Sequence, residues 1–298
     1  MDISAPNLQI LYTGFKAAFE DAFRGVKPQY PRIAMTVPSS TAAETYAWME
    51  ALPRIREWLD ERVVKSLGTR QMQVVNRTFE STIGVKREQI EDDQYGIFAT
   101  IFAQLGLSTG NFPDELLFPL LNAGFTTQCF DGQNFFDPNH PVKDANGNIT
   151  LVSNMQAGPG PYWFLLDTTQ IVKPLVWQTR RPFDFISKTD PRVSDSVFKT
   201  NEFVYGTDGR CNAGLGLWQL AFGSGQPLNS ANFRAARQTM IDMKGDFGRP
   251  LGLNPDLLVY PPTLDGTARD LIMSERLANG ASNTDWKLVD LMKSAWLG

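Results

Sequence analysis

Arg70-Gln-Met-Gln-Val-Val-Asn-Arg-Thr-Phe-Glu-Ser-Thr-Ile-Gly-Val-Lys-Arg87 is rich in β-branched and polar residues, yet it alternates only loosely between apolar and polar. Such a pattern suits extended strands, and the stretch reads as a hairpin with weak inward and outward preference. A hairpin with so little apolar surface is not stable alone. It must lie on the body of its own chain or on a neighbour.

The segment before it has two parts. Residues 6–24 place Leu8, Leu11, Tyr12, Phe15, Ala18, Phe19, Ala22 and Phe23 at spacings of three and four, which makes one apolar stripe on a helix. Ser4 suits its cap, Pro6 its first turn and Gly25 its end. The next stretch, Lys27–Pro38, holds Pro28, Pro31 and Pro38 and reads as an extended linker. The first helix is therefore expected to be an arm separated from the body. Thr41-Ala-Ala-Glu44 has the form of a capping box. It predicts a helix through Met49, broken at Pro53, and a second helical segment carrying Ile55, Trp58 and Leu59.

Beyond the hairpin, Glu91-Asp-Asp93 is expected to open a helix whose stripe is Ile97, Phe98, Ile101, Phe102 and Leu105, closed at Gly106. Pro113 would open another, with Leu116, Leu117, Leu120 and Leu121, ending near Gly124. Residues 129–160 are loop-rich. Tyr162–Asp167, Lys173–Arg180 and Val197–Tyr205 read as strands, with Leu215–Phe222 a further candidate. Ser230 caps a helix that Gly245 ends; Pro255–Pro262 holds a short buried strand. A helix from about 263 to 277 and a last segment, Trp286–Trp296, complete the chain. The absence of a steady β–α–β rhythm favours mixed α+β over a doubly wound sheet.

Composition narrows the functions. The 298 residues include 28 Lys plus Arg against 32 Asp plus Glu, for a net charge of −4. No broad nucleic-acid-binding surface follows from that balance. No apolar run approaches the roughly 20 residues of a membrane span, and the N-terminus lacks the pattern of a signal peptide. Cys129 and Cys211 make no CxxC pair and read as two small, reduced, buried residues. Charged residues are 20%, below the usual ~25%, which suggests that much of the surface is covered by something else.

A single histidine, His140, rules out a multi-histidine metal site. It lies in a loop with Asp131 and Asp137 nearby, no nucleophile elbow accompanies it, and it reads as a locally bonded structural residue. Asp144-Ala-Asn-Gly-Asn148 resembles the start of a calcium loop, but Gly147 is at the fourth position and Met155 stands where the twelfth needs Glu. It reads as a tight turn. Glu91, Asp92 and Asp93 are adjacent on a helix and cannot converge on one ion, so they read as a helix-start charge cluster. Gly245–Gly252 is glycine-rich but precedes a strand rather than a helix and lacks a GK[ST] ending. No cofactor and no metal is implied. Arms and hairpins that cannot bury themselves are devices for binding neighbours.

Two long motifs, Asp208-Gly-Arg-Cys-Asn-Ala-Gly-Leu-Gly-Leu-Trp-Gln219 and Met243-Lys-Gly-Asp-Phe-Gly-Arg-Pro-Leu-Gly-Leu-Asn-Pro-Asp-Leu-Leu-Val-Tyr-Pro-Pro262, resemble the major head protein of Mu-like bacteriophages, the gpT family. So do Trp163–Asp167, Lys173–Gln178, Asn134–Pro141 and Trp58–Val63. The resemblance runs from about residue 45 to the end. It implies an α+β chain with the capsid fold shared by tailed phages and herpesviruses: N-terminal arm, extended loop, peripheral domain with a long spine helix, and axial domain. On that template residues 1–40 are the arm and 41–90 the extended loop with its approaches. Residues 91–227 are mainly peripheral, with part of 158–195 open to the axial domain, and 228–298 are mainly axial. The implied function is self-assembly of hexamers and pentamers into an icosahedral shell around double-stranded DNA, in the virion after assembly in the bacterial cytoplasm. Portal, scaffold and decoration proteins are the implied partners. Phe15, Phe19 and Phe23 are expected to anchor the arm on a neighbour, and Arg70, Arg77, Lys86 and Arg87 to pair with acidic groups across subunits. The rival readings are a carboxylate-based hydrolase using Glu91, Asp92 or Asp93 and another virion protein such as a tail tube.

Overall fold

The Asn7 amide donates to the Ser4 hydroxyl and Pro6 fills the first turn, so the chain enters α1 (Ala5–Gly25) as the sequence predicts. The computed structural model describes residues 4–46, 72–92, 96–189 and 195–298. After α1 come α2 (Tyr30–Ile33), β1 (Ala34–Pro38), β2 (Ala43–Tyr46), β3 (Met72–Val75), β4 (Arg77–Lys86), α3 (Arg87–Glu91) and α4 (Ile97–Ala123). Then follow β5 (His140–Lys143), β6 (Ile149–Val152), β7 (Met155–Gln156), β8 (Trp163–Leu166), β9 (Leu175–Lys188), α5 (Asp195–Thr200), β10 (Glu202–Leu215) and β11 (Ala221–Ser224). The C-terminal part holds α6 (Ser230–Ile241), β12 (Lys244–Gly245), β13 (Arg249–Pro250), β14 (Leu257–Tyr260), α7 (Asp265–Ile272) and β15 (Asp290–Lys293).

Two sheets carry the architecture. One has the order β1-β9-β10-β4, with β1 parallel to β9 and the other pairs antiparallel. The other has the order β15-β14-β8-β11-β7. β8 and β14 are buried at every residue because both faces are covered. On one face Trp163, Leu165, Phe222, Leu258 and Tyr260 pack against Phe233, Ala236 and Met240 of α6 and Ala268 and Ile272 of α7. The other contributes Phe164, Leu166, Leu257 and Val259 to the main core, together with Leu117, Phe118 and Leu121 of α4.

The arm is not detached. Phe15 and Phe19 of α1 share a core with Phe102 and Leu105 of α4, Phe185 of β9 and Tyr205 of β10. Tyr12 also donates to the Phe185 carbonyl at 3.0 Å. The proline-rich link turns the chain back instead of holding the helix away. Asp114 of α4 accepts the Gln29 and Tyr30 amides, each at 2.8 Å, and so fixes the turn where α2 begins. Glycine on α4 permits the close crossing. A Cβ at Gly106 would lie 2.2 Å from the Phe19 carbonyl oxygen, and one at Gly110 would lie 2.7 Å from a Val26 methyl.

Other local signals are overruled. Thr41–Glu44 opens β2 rather than a helix. The Glu44 carboxylate still gathers donors, from the Ser39 hydroxyl at 2.8 Å, the Ser40 amide at 2.9 Å and the Thr41 amide at 3.2 Å, but it closes a turn before a strand. The helices expected through Met49, Ile55, Trp58 and Leu59 lie outside the described residues. Gly106 and Pro113 do not divide α4, which runs unbroken with Pro113 and Pro119 inside it. Burial of Phe102, Leu117, Phe118 and Leu121 along the helix outweighs a proline cost of about 3 kcal/mol. Residues 197–200 are helical, not strand.

The stretch quoted first is not a hairpin with itself. β3 pairs with β2, while β4 continues past Asn76 to pair with β10 across ten residues. Gln178 ties the two regions. It accepts from the Tyr46 hydroxyl at 2.8 Å and donates to the Val74 carbonyl at 3.0 Å and Asn76 Oδ1 at 2.8 Å. β4 therefore belongs to the four-stranded sheet. The boundary expected at 227/228 cuts the five-stranded sheet, because β7, β8 and β11 precede it and β14 and β15 follow it.

Candidate functional site

His140 begins β5 and is fully buried. Its ring stacks on Trp218 with centroids 3.8 Å apart and an angle of 8°. Nδ1 lies 2.7 Å from Asp131 Oδ2 and Nε2 lies 3.2 Å from Asn154 Oδ1. The Cys129 thiol donates to Asp131 Oδ1 at 3.1 Å, and the Gln133 amide donates to the same oxygen at 3.0 Å. The partners of His140 are thus side chains from three segments, where the sequence suggested local bonding. Asp131 was within reach of sequence reasoning, nine residues away; Asn154 and Trp218 were not.

Burial by itself would raise the Asp131 carboxyl, but hydrogen bonds from His140, Cys129 and the Gln133 amide outweigh it and hold the group below the usual carboxylate range. Burial pushes the Cys129 thiol up, and the Asp131 charge adds to this, so the sulfur is an inert thiol. With its folded value depressed, Asp131 contributes stability above the ordinary carboxylate range and loses it as pH falls through the folded value. Asp131→Asn is expected to cost about 2 kcal/mol at pH 7 and progressively less in acid. Melting curves across pH for both chains check this, and a gap that does not shrink in acid would overturn it.

Glu91 and Asp92 do not stand at the start of α4. Glu91 closes α3 and pairs with Arg87 at 3.0 Å, Asp92 follows as the C-cap, and residue 93 lies outside the described residues. Asp144 accepts the Asn146 and Asn148 amides, each at 2.8 Å, and so builds the β5–β6 turn from within. Gly245–Gly252 contains the small β12–β13 hairpin, with Phe247 in the left-handed region at φ 64°. Cys129 and Cys211 are buried and unbridged. No helix among the described residues is long and apolar enough to cross a membrane.

The residues expected at contacts between copies divide into two sets. Phe15 and Phe19 are only 5% and 2% exposed within this chain, packed in the core with Phe102 and Tyr205. Phe23, half-buried, stacks on Phe19. Arg77 and Lys86 lie exposed on the edge strand β4, and Arg87 is exposed beside Glu91. Arg70 lies outside the described residues. Large apolar groups also face outward, including Ile149 and Leu151 on β6, Ile171, Trp286 and Trp296. What is laid out is a buried structural polar cluster and a broad outer surface carrying exposed cations and apolar side chains.

The family model of the Mu-like prophage major head subunit gpT matches residues 8–297. The major capsid protein of Escherichia phage Mu is 38% identical over 287 residues, covering 94% of this chain and 93% of that one. The FluMu prophage major head subunit of Haemophilus influenzae is 34% identical over 285 residues, covering 93% and 92%. A subunit of the bacteriophage JBD30 procapsid matches with a TM-score of 0.87 and 42% identity over 99% of this chain and all of that one. A subunit of the JBD30 capsid matches with 0.79 and 33% over the whole of both chains. A match of this length to the family model, over the fold described above, places the chain in the Mu-like gpT family of major head subunits, the major capsid proteins of phages of this kind.

Proposed function

We propose that this major capsid protein closes an icosahedral shell from hexamers and pentamers of itself, with assembly in the bacterial cytoplasm and double-stranded DNA as the cargo. The observation that carries this reading is the similarity to the JBD30 procapsid subunit along 99% of the chain. The role is symmetric association without turnover. Each contact between copies need only be modest, because a closed assembly multiplies weak contacts. The four-stranded sheet with α1 and α4 is read as the peripheral domain. The five-stranded sheet with α6 and α7 is read as the axial domain, and the β2–β3 pair as part of the extended loop. Arg70, Arg77, Lys86 and Arg87 are assigned to ion pairs across subunits. A net charge of −4 disfavours tight adhesion to the packaged genome. Portal and scaffold proteins are proposed partners. A decoration protein is another, since a capsid of the JBD30 relative is decorated with minor capsid protein trimers.

Expression of the full chain followed by electron microscopy is expected to show closed icosahedral particles. Tubes, or a monomer at micromolar concentration, would overturn the proposal. Deleting residues 1–25 strips the cover from Phe102, Phe185 and Tyr205 and is expected to abolish closed shells. Normal shells from that variant would show that α1 is dispensable.

A further inference from the structure

The donors Cys129, Asp131 and His140 are buried together within 4.8 Å, and the first question is what holds them there. A metal ion does not fit the distances. Nitrogen and oxygen bound to one tetrahedral ion at about 2.0–2.1 Å sit about 3.3 Å apart. Here Nδ1 and Oδ2 are separated by 2.7 Å, the length of a charge-assisted hydrogen bond. The spacing is that of two groups joined by a hydrogen bond.

The second question is how many protons the ring carries, and Asn154 answers it. Its Nδ2 faces three carbonyls, of Phe135 at 2.8 Å and of Trp218 and Ala221 each at 3.2 Å. Its Oδ1 accepts the Asp137 amide at 3.0 Å. A flipped amide would set an oxygen against three carbonyl oxygens and an NH2 group against an N–H, so the orientation is fixed. Oδ1 is therefore the atom that faces His140 Nε2, and it can only accept. Asp131 Oδ2 likewise accepts from Nδ1. Both ring nitrogens have acceptors and neither has a donor.

We propose that His140 carries a proton on both ring nitrogens, is charge-paired with Asp131, and latches three chain segments together. The segments are the 128–136 loop through Asp131, the start of β7 through Asn154, and the turn before β11 through the face of Trp218. The titratable groups facing the ring are Asp131 and the Cys129 thiol; the Asp137 carboxylate turns away to accept the Asn139 amide at 2.9 Å. An Nε2 without a proton would set a lone pair against Asn154 Oδ1, which cannot rotate.

His140 is the only histidine, so 15N-histidine labelling of the full chain gives two ring signals with no overlap. At pH 7, solid-state NMR of the assembled or sedimented protein is expected to place both nitrogens in the protonated range, unchanged by a chelator. One unprotonated nitrogen, or a chelator-dependent spectrum, would overturn the proposal. In Asp131→Asn one nitrogen is expected to move to the unprotonated range at the same pH; two protonated nitrogens there would also overturn it. Should that variant not fold, the ring-nitrogen spectrum of the unsubstituted protein decides.

Discussion

Asn154→Ala is expected to be among the most damaging single substitutions in this protein, at about 3–5 kcal/mol. The residue is completely buried, and its amide serves five groups: the Asp137 amide, the His140 ring and the carbonyls of Phe135, Trp218 and Ala221. Each buried polar group stranded without a partner costs about 1–3 kcal/mol. Alanine strands several at once and leaves a cavity besides. Asn154→Asp is expected to be no better, because its second oxygen would face three carbonyl oxygens. Equilibrium unfolding in urea checks both variants. A loss under 1 kcal/mol in Asn154→Ala would mean that the five contacts are dispensable.

Gly106→Ala sets two effects against each other. Alanine is favoured over glycine inside a helix by about 1 kcal/mol. Against that, the new methyl would lie 2.2 Å from the backbone oxygen of Phe19, and backbone cannot rotate aside as a side chain does. Overpacking of this kind costs about 1–3 kcal/mol, and occasionally more. The clash is expected to win, with α1 lifted from α4 and a net loss of about 1 kcal/mol. Gly14→Ala is the control, since nothing lies within 4 Å of a Cβ at that position. It is expected to stabilise α1 by about 0.5–1 kcal/mol. The two substitutions should therefore move the melting temperature in opposite directions. If Gly106→Ala also stabilises, α1 does not cross α4 this closely.

What the sequence revealed depended on how local the cause was. α1 was legible because cap, first-turn proline and apolar stripe agree within one segment. β8 and β14 were legible as apolar runs bounded by turn residues. The docking of α1 was not, because nothing within Lys27–Pro38 shows that Asp114 will pin the turn or that Gly106 offers a notch. The same limit explains Thr41–Glu44, where the capping pattern is real but the strand partner, β3, lies 32 positions from Ala43 at Val75. Gly106 and Pro113 read as breaks because local rules count propensity, while the continuity of α4 comes from tertiary burial. At the polar cluster the anion beside His140 was visible as Asp131, but the residue that determines the ring's charge, Asn154, is an ordinary asparagine in a loop-rich stretch. The family resemblance supplied the architecture that local patterns did not, though the division of strands between the two sheets had to be seen.

The seating of α1 also sets an order of events at the ribosome. The Tyr12–Phe185 hydrogen bond spans 173 positions. At about 5–20 residues per second of synthesis, the first helix waits roughly 10–35 seconds for β9 to be made. Its α4 partner emerges earlier, so the helix gains half of its seat while the aromatic side that meets Phe185 and Tyr205 stays open. The first helix made thus keeps one side open until β9 and β10 follow it, and a nascent subunit passes through a sticky interval before it is a finished building block.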